Sequence, residues 1–455
     1  MRTSQIQLKH SILAASVLFF VPLLIMAYRA EWQYDEAWTY LGILRSSPGE
    51  IAAYTKFKLA NNHVFNSLYF HWLQGLGAKT ELTYRLSSLL SYVLYNLFLY
   101  RLLEQAGYKR ANWSFIVLFL LPYMGYFALG RGYAPALTCF TISLYYYKSF
   151  AERKSLAHLL YFILSGSLAA LSLFSFLFPF IAMVLLLALG NFKTVLKPRY
   201  LIVMLIVLPV MLYVYVMGKV VNTYDLYIIG GNSLFRNGAL SSVLSYLSLG
   251  EMVSQHLFLL FKVALCITGL PAVIVLIKRR VLYTEHVIIL VAILLMLAAH
   301  YLFAAKYPMS RGLLYILLLF YLPFIYASAK KNYLLGIHLL VVAALGICNM
   351  DLLLKKSMRH KSYDALAYVS KTHKPLFVDN VNPNVQLYDY LFFHNSVKLL
   401  QYEMEEPEVS KSFYRALDTV SYVICTQANL KVKGANTLFS KIYKLPEGDF
   451  YIRKK

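Results

Sequence analysis

The chain has 455 residues, of which 59% are hydrophobic and 14% are charged, and its mean hydropathy is +0.57. These values exclude an ordinary soluble enzyme, in which charged residues make up about 25%. The formal charge of +23 also suits a nucleic-acid-binding protein, but the basic residues form short clusters between apolar segments, not one continuous stripe. Such clusters are typical of the inner loops of a multi-pass membrane protein. We therefore expect a lipid bilayer as partner, and no nucleic acid.

Apolar segments that approach the ~20 residues a helix needs to cross a bilayer recur through residues 1–354. The basic clusters between these segments all fall on one side of the membrane if the N-terminus is cytoplasmic. The pattern predicts a polytopic all-α membrane region of about eleven transmembrane helices, with residues 355–455 on the outer face. The predicted spans are 11–27, 82–103, 113–127, 133–147, 157–173, 174–189, 200–217, 257–277, 285–303, 313–329 and 332–354.

Residues 355–455 differ in character from the membrane region. They carry 16 basic and 10 acidic residues, whereas residues 1–354 carry 28 basic and only 11 acidic ones. Short apolar runs bounded by turn residues predict a small soluble α/β domain, in which no catalytic group of residues is recognisable. The predicted elements are strands at Leu376–Asp379 and Val420–Cys425, a helix at Ser410–Leu417, and a hairpin of Phe439–Tyr443 with Phe450–Ile452.

The first outer loop, about residues 29–80, is too long to be a simple connection. It contains two amphipathic segments, Ala37–Leu44 and Val64–Leu76, that are suited to the membrane interface. It also places two adjacent carboxylates, Asp35 and Glu36, just after the first span. A carboxylate at a membrane edge loses hydration, so such residues are candidates for function. The simpler alternative is the solvated start of a loop helix.

Other ionisable candidates lie on the predicted outer face. Arg131, Lys306 and Arg311 lie there against the inside bias of the other basic residues, and His63 lies in the first outer loop. The planar guanidinium fork of arginine suits a phosphate. An outer-face arginine beside a carboxylate that accepts a proton is therefore consistent with chemistry on a membrane lipid phosphate. The alternatives are that the arginines only anchor helices by snorkelling and that His63 is structural.

Five short motifs, in order along the chain, resemble the glycosyltransferase C (GT-C) superfamily. The closest branch is similar to dolichyl-phosphate-mannose protein mannosyltransferases and bacterial aminoarabinose (lipid A) transferases. Each motif is weak alone, but their order and sidedness agree with that family. The motifs are Asp35-Glu36-Ala37 after the first span, Asn62–Leu68 before an amphipathic helix, Thr83–Leu89 (compare R-L-P-S), Arg131-Gly132-Tyr133 (compare A-R-x-Y) and Pro308–Arg311 (compare P-x-x-R).

The resemblance implies an inverting transferase that moves a sugar from a polyprenyl-phosphate donor to an extracytoplasmic acceptor. It implies that Asp35 is the base that activates or orients the acceptor and that Glu36 assists by positioning or by binding a cation. The donor phosphate would be held by Arg311, with Arg131, Tyr133 and Lys306 beside it. His63 and Asn62 would belong to the acceptor or metal region. Metal dependence differs among relatives, so a divalent ion is left open and no other cofactor is implied.

Two other functions remain open at this point. The first is a transporter or flippase that moves a polyprenyl-linked sugar without cutting it, although no internal repeat of the kind seen in transporters is visible. The second is a membrane scaffold whose C-terminal domain binds cell-wall material. The dense basic inner loops favour a bacterial inner (plasma) membrane with a periplasmic active site and a periplasmic C-terminal domain. The sequence does not indicate the sugar, the acceptor (glycolipid, glycan or protein) or the oligomeric state.

Overall fold

The computed structural model contains mainly helices, with a small sheet near the C-terminus. It describes residues 2–30, 32–44, 46–56, 62–107, 113–224, 230–231, 233–234, 240, 242–243, 255–278, 283–308, 310–328, 333–356, 362–372, 374, 376–379, 387, 391, 399–402, 422–425, 439–444 and 449–453. The helix predicted at 410–417 lies outside these residues.

The α-helices follow the predicted apolar segments closely. Between them lie four 3₁₀ helices, Trp113–Ile116, Pro122–Ala128, Phe174–Phe176 and Ser310–Leu313. The α-helices are α1 (Arg2–Arg29), α2 (Tyr34–Ile43), α3 (Pro48–Ala52), α4 (Val64–Gly75), α5 (Glu81–Gln105), α6 (Val117–Leu120), α7 (Tyr133–Arg153), α8 (Leu156–Ser172), α9 (Leu177–Gly190), α10 (Phe192–Val195), α11 (Pro198–Leu205), α12 (Val207–Tyr224), α13 (Gln255–Lys278), α14 (Thr284–Phe303), α15 (Leu314–Ser328), α16 (Tyr333–Lys356) and α17 (Ser362–Ser370).

Several helices are suited to a bilayer. Within the described ranges, four segments are long and apolar enough to cross a membrane: Lys9–Arg29, Glu81–Gln105, Pro198–Val221 and Thr284–Phe303. Five further apolar helices are shorter, at 10–17 residues. The polytopic membrane character is thus supported by helix length and composition, and the count of eleven spans stays a prediction.

The third predicted span is not one continuous α-helix. Residues 113–128 form the four-residue α6 between two 3₁₀ helices. The interruption has a local cause, because Leu121 is extended (φ −64°, ψ 146°) before Pro122, and a residue that precedes proline avoids the α conformation. Val117 to Leu120 are nonetheless buried, so this segment is part of the core. A hydropathy window detects such burial but does not detect the break.

The contacts of the chain divide it into two compact units. The larger unit contains Met1–Ala27, Ser47–Tyr69 and Tyr84–Lys356, and the smaller contains Tyr28–Ser46, Phe70–Thr83 and Ser357–Lys455. Parts of the first outer loop therefore group with the C-terminal region. The predicted boundary, with a membrane catalytic domain ending at residue 354 and a separate domain beginning at residue 355, stays a prediction.

The C-terminal part of the smaller unit contains a five-stranded mixed sheet of order β4-β3-β5-β7-β6. Strand β3 is parallel to both of its neighbours, β4 and β5, whereas β7 is antiparallel to both of its neighbours, β5 and β6. The strands predicted near 376–379 and 420–425 are present, and so is the closing hairpin, as β6 and β7. The strands of this sheet are β3 (Leu376–Asp379), β4 (Leu399–Tyr402), β5 (Tyr422–Cys425), β6 (Phe439–Lys444) and β7 (Asp449–Arg453). A two-stranded ribbon in the larger unit pairs β1 (Gly230–Gly231) with β2 (Tyr307–Pro308).

Candidate functional site

A cavity of about 480 Å³ lies within the larger unit. Most of its wall is apolar and comes from the α8–α9 turn, α9, α12 and α14. This wall can accommodate hydrocarbon without leaving polar groups buried and unsatisfied. Among the residues that form it are Leu171, Leu177, Ile181, Val214, Leu295 and Phe303.

The charged side chains that line the cavity are all basic. Lys219, Lys306 and Arg311 are among its lining residues, and the described part of the lining contains no Asp or Glu. A concave site lined by charges of one sign focuses the electrostatic potential and raises the local concentration of the opposite ion. The cavity therefore combines an apolar wall with a preference for an anion.

His63 and Tyr133 also line the cavity, and Arg131 lies directly behind them. The Nη2 atom of Arg131 is 3.3 Å from the His63 Nε2 atom and donates to the Tyr133 hydroxyl, also at 3.3 Å. The rings of His63 and Tyr133 pack edge to face with their centroids 5.0 Å apart. All three side chains are buried. They form one rigid group from the loop before α4 and the start of α7.

Burial keeps His63 neutral, and the neighbouring guanidinium of Arg131 selects its tautomer. A guanidinium has only donors, so the contact with Arg131 requires a lone pair on the His63 Nε2 atom and places the ring proton on Nδ1. Burial, together with the positive charge of Arg311, lowers the pKa of His63 from 6.5 to about 4. Burial likewise lowers the pKa of Arg131 to about 10, which leaves it charged at neutral pH. The histidine is thus a neutral hydrogen-bond donor beside two arginines.

The turn that carries Arg131 is fixed from two sides. The Asn66 Nδ2 atom donates to the Gly130 carbonyl at 3.0 Å, and the Ser88 hydroxyl donates to the Leu129 carbonyl at 2.5 Å. Gly132 follows, where an added Cβ would lie 2.6 Å from both the His63 Cβ and the Ser172 carbonyl oxygen. Only glycine permits that approach of α7 to the histidine and to the end of α8.

Asn62, which directly precedes His63, is hydrogen-bonded to the α3 segment and to Tyr54, which follows it. The Asn62 Nδ2 atom donates to the Ile51 carbonyl at 2.9 Å, and the Tyr54 hydroxyl donates to the Asn62 carbonyl. The Tyr213 hydroxyl of α12 donates to the Ala52 carbonyl at 2.7 Å. Tyr54 and Asn62 both line the cavity, so they form part of its wall.

Lys306 and Arg311 flank the short strand β2. His300, near the end of α14, stacks on Tyr307 with ring centroids 4.5 Å apart, and its Nδ1 atom is 2.8 Å from the Ala305 carbonyl oxygen. The following 3₁₀ helix carries Arg311. These contacts hold the chain around Lys306 and Tyr307 in place at the cavity wall.

The acidic pair belongs to the smaller unit. Glu36 is fully buried in the first turn of α2, where its Oε2 atom accepts a hydrogen bond from the Gln33 backbone N–H at 2.8 Å. Asp35 precedes it and is half-buried, and its carbonyl accepts from the Thr39 hydroxyl at 2.8 Å. Glu36 therefore has at least a local role in capping α2. The catalytic roles of both carboxylates stay predictions.

The contacts of His63 do not fit a metal ligand. In the described part of the chain, no three His, Cys, Asp or Glu side chains lie close enough to hold an ion. The Nε2 atom of His63 faces a guanidinium, and a cation placed beside it would be repelled by Arg131 and Arg311. The environment of this histidine suits an anion instead.

The structure brings together the predicted outer-face residues Asn62, His63, Arg131, Tyr133, Lys306 and Arg311 around one cavity. Three further residues of the site were not predicted: Asn66, Ser175 and Lys219. Asn66 was visible in the sequence as a second asparagine in the motif that contains His63. Ser175 and Lys219 gave no local signal, because a serine or lysine next to an apolar run is common at any helix end.

Comparison with known proteins gives a likeness of fold. No protein-family model matches the chain, and no curated protein matches it. The chain is similar to ArnT from Cupriavidus metallidurans, an aminoarabinose lipid A transferase of the GT-C class. A crystal structure of ArnT bound to undecaprenyl phosphate aligns at 10% identity and TM-score 0.51 over 97% of each chain. The apo ArnT structure aligns at 12% identity and TM-score 0.46 over 97% of this chain and 98% of that one. The resemblance to aminoarabinose transferases expected from the motifs is thus confirmed for the fold.

Proposed function

We propose that the protein is an integral-membrane glycosyltransferase that moves a hexosyl or pentosyl group from a polyprenyl-phosphate donor to an extracytoplasmic acceptor. The main support for this proposal is the cavity, which has an apolar wall for a prenyl chain and basic lining residues for its phosphate. The likeness of fold to ArnT bound to undecaprenyl phosphate supports the same donor class.

The donor headgroup binds beside the basic residues that line the cavity. Arg311 and Lys306 line it, and Arg131 with Tyr133 and His63 forms the wall behind. Guanidinium groups form charge-assisted hydrogen bonds to phosphate oxygens, which are about twice as strong as neutral ones. These cations also stabilise the phosphate that leaves when the glycosidic bond breaks.

Asp35 is the proposed base. It takes the proton of the acceptor hydroxyl, or orients the acceptor phosphate, as the acceptor oxygen attacks the anomeric carbon from the side opposite the leaving polyprenyl phosphate. That geometry inverts the anomeric configuration. Glu36 holds the first turn of α2 in place for this step. Asn62 completes the wall beside His63, and no divalent ion is required at His63.

The proposed setting is a bacterial inner membrane crossed by eleven GT-C-like helical segments. The N-terminus is cytoplasmic, and the cavity and the C-terminal α/β domain face the periplasm, where cell-envelope acceptors (a glycolipid, a glycan or a protein) are reached. The support is the alternation of basic clusters with apolar segments.

The direct test measures turnover and lipid binding on the same preparations. Purified protein is incubated with polyprenyl-phosphate sugars carrying a radiolabelled sugar and with an envelope extract as acceptor pool, and released polyprenyl phosphate is quantified. Wild type is expected to release it, with EDTA having no effect on lipid binding. Asp35→Asn is expected to lose about 10²–10⁴-fold in turnover and to keep lipid binding.

Glu104→Gln is the matched control, because it neutralises a partly exposed carboxylate outside the cavity lining, which accepts from the Tyr100 hydroxyl at 3.0 Å and pairs with Arg101 at 3.5 Å. Its turnover should equal that of wild type. If wild type moves the labelled lipid across a vesicle membrane without releasing polyprenyl phosphate, the protein is a transporter and the transferase proposal is wrong.

A further inference from the structure

Ser175 lies in the cavity wall and is not explained by the packing around it. It belongs to the 3₁₀ helix between α8 and α9, is 9% exposed and lines the cavity. Its hydroxyl oxygen has no hydrogen-bond partner among the residues that the structure describes. A buried hydroxyl without a partner costs stability, because it gives up its hydrogen bonds to water on folding. At a cavity wall, an atom of a bound ligand can satisfy such a group.

The neighbours of Ser175 place it beside the segment that carries Arg311. A Cβ added to Gly312 would lie 3.5 Å from the Ser175 Oγ atom, so the hydroxyl lies beside the residue that follows Arg311. The Cβ added to Gly312 would also lie 3.0 Å from the Pro308 Cβ. The serine and the arginine therefore come from different helices to neighbouring positions of one wall.

A second buried serine, on the preceding helix α8, provides a contrast. Ser167 on α8 is also buried, at 6% exposure, and its hydroxyl oxygen also has no partner within the described ranges. Unlike Ser175, it does not line the cavity. The two residues share their chemistry and the burial of their hydroxyl oxygens, and they differ in that only Ser175 belongs to the cavity wall.

We propose that the Ser175 hydroxyl donates a hydrogen bond to the phosphate of the polyprenyl-phosphate headgroup, alongside the ionic contact from Arg311. This inference rests on the proposed function and deepens it by naming a neutral donor for the phosphate. A hydroxyl can rotate its proton toward whichever phosphate oxygen is nearest. It adds a charge-assisted hydrogen bond without adding another positive charge to a cavity that already has three lining cations.

The test is a titration of detergent-purified protein with undecaprenyl phosphate, followed by thermal unfolding and by a direct dissociation constant. Wild type, Ser175→Ala and Ser167→Ala are compared. Without lipid, both variants are expected to unfold at the same temperature as wild type or higher, because each loses a buried unsatisfied hydroxyl. With lipid, Ser175→Ala is expected to raise the dissociation constant about tenfold to a hundredfold, the effect of one charge-assisted hydrogen bond. Ser167→Ala should remain within about twofold of wild type.

The outcomes separate the inference from the function on which it rests. If wild type does not bind undecaprenyl phosphate, the proposed function is wrong, and the role of Ser175 is wrong with it. If wild type binds and the two alanine variants bind equally, whether as well as wild type or equally weakly, the role of Ser175 is wrong while the proposed function stands. A selective loss in Ser175→Ala with the sugar-free lipid supports the phosphate as the accepting group.

Discussion

Two regions of the larger unit differ in how their charged side chains are arranged. On the predicted cytoplasmic side, the Lys148 Nζ atom lies 2.5 Å from the Glu285 Oε1 atom, and Glu285 is fully buried. Around the cavity, the lining contains basic side chains and no described acid. Burying a charge is costly unless a counter-charge compensates it. Lys148 therefore has a structural partner within the fold, whereas the described lining of the cavity carries charge of one sign and favours an anion.

Breaking the Lys148–Glu285 pair should have the largest effect on stability. Lys148→Met leaves the Glu285 carboxylate buried without its cation, and we expect a loss of about 3–5 kcal/mol in the free energy of unfolding. Lys148→Met/Glu285→Leu should recover most of that loss, because no charge is then left buried. Unfolding in mixed detergent micelles measures both. Lipid binding by the double variant should equal that of wild type, and a single variant that loses less than about 1 kcal/mol would contradict a structural pair.

The next largest effect is a pH dependence of the free energy of unfolding that comes from His63. Its pKa is about 4 in the folded protein against 6.5 for the free side chain, so the unfolded chain takes up the proton first as pH falls. The contribution of His63 to stability is therefore complete above pH 6.5 and is lost progressively toward pH 4, by up to about 3 kcal/mol. His63→Gln lacks this titration. The difference in unfolding free energy between the two proteins, measured from pH 7.5 to pH 4.5, should shift steadily against wild type. A constant difference would mean that His63 is not held neutral by its surroundings.

A methyl group at Gly132 tests how closely α7 approaches His63. Gly132→Ala introduces a Cβ 2.6 Å from the Ser172 carbonyl oxygen and from the His63 Cβ, and overpacking of this kind costs about 1–3 kcal/mol. We expect lipid binding to weaken as well, because the turn with Arg131 must move. Gly336→Ala is the control, since a Cβ there meets nothing within 4 Å and should stabilise α16 slightly. Equal stability of the two variants would show that the helices do not approach as described.

The smallest expected effect is at Asn66. Asn66→Ala removes the hydrogen bond to the Gly130 carbonyl and should cost about 1 kcal/mol. Because that carbonyl precedes Arg131, lipid affinity should also fall. Asn191→Ala removes a bond to the Leu187 carbonyl, 3.1 Å long, and the contact that Asn191 Oδ1 accepts from Lys154. Asn191 follows the end of α9, whereas the cavity-lining residues of α9 lie at its start. Asn191→Ala should leave lipid affinity unchanged, and an equal drop in both variants would contradict a positioning role for Asn66.

Local sequence patterns predicted the helical segments and several of the residues that meet at the cavity. The break between the fifth and sixth predicted spans was expected after residue 173, and the structure has an extended Leu173 there, followed by the 3₁₀ helix. Hydrophobicity and charge clusters are properties of neighbouring residues, so they identify such boundaries well. The broken third span was missed because the window averages over Pro122.

The sequence could not predict the partners of individual polar groups. The contact of His63 with Arg131 joins residues 68 positions apart. That the Ser175 hydroxyl has no partner among the described residues depends on a wall built from several helices. Charge state follows from those contacts: the motif containing His63 suggested an acceptor or metal role, whereas the neighbouring guanidinium favours a neutral donor to an anion. The positions of Asp35 and Glu36 after the first span were recognised by resemblance, and their chemistry stays a prediction.

Native mass spectrometry of the protein loaded with undecaprenyl phosphate shows whether the cavity holds a lipid phosphate. Wild type is compared with Arg311→Ala and with Arg101→Ala, which removes an exposed arginine that does not line the cavity. We expect wild type and Arg101→Ala to retain one lipid through detergent removal. We expect Arg311→Ala to retain at least tenfold less, since a hydrogen-bonded ion pair contributes about 1.5–3 kcal/mol. Equal retention by Arg311→Ala, or no retention by wild type, would contradict a lipid-phosphate site in this cavity.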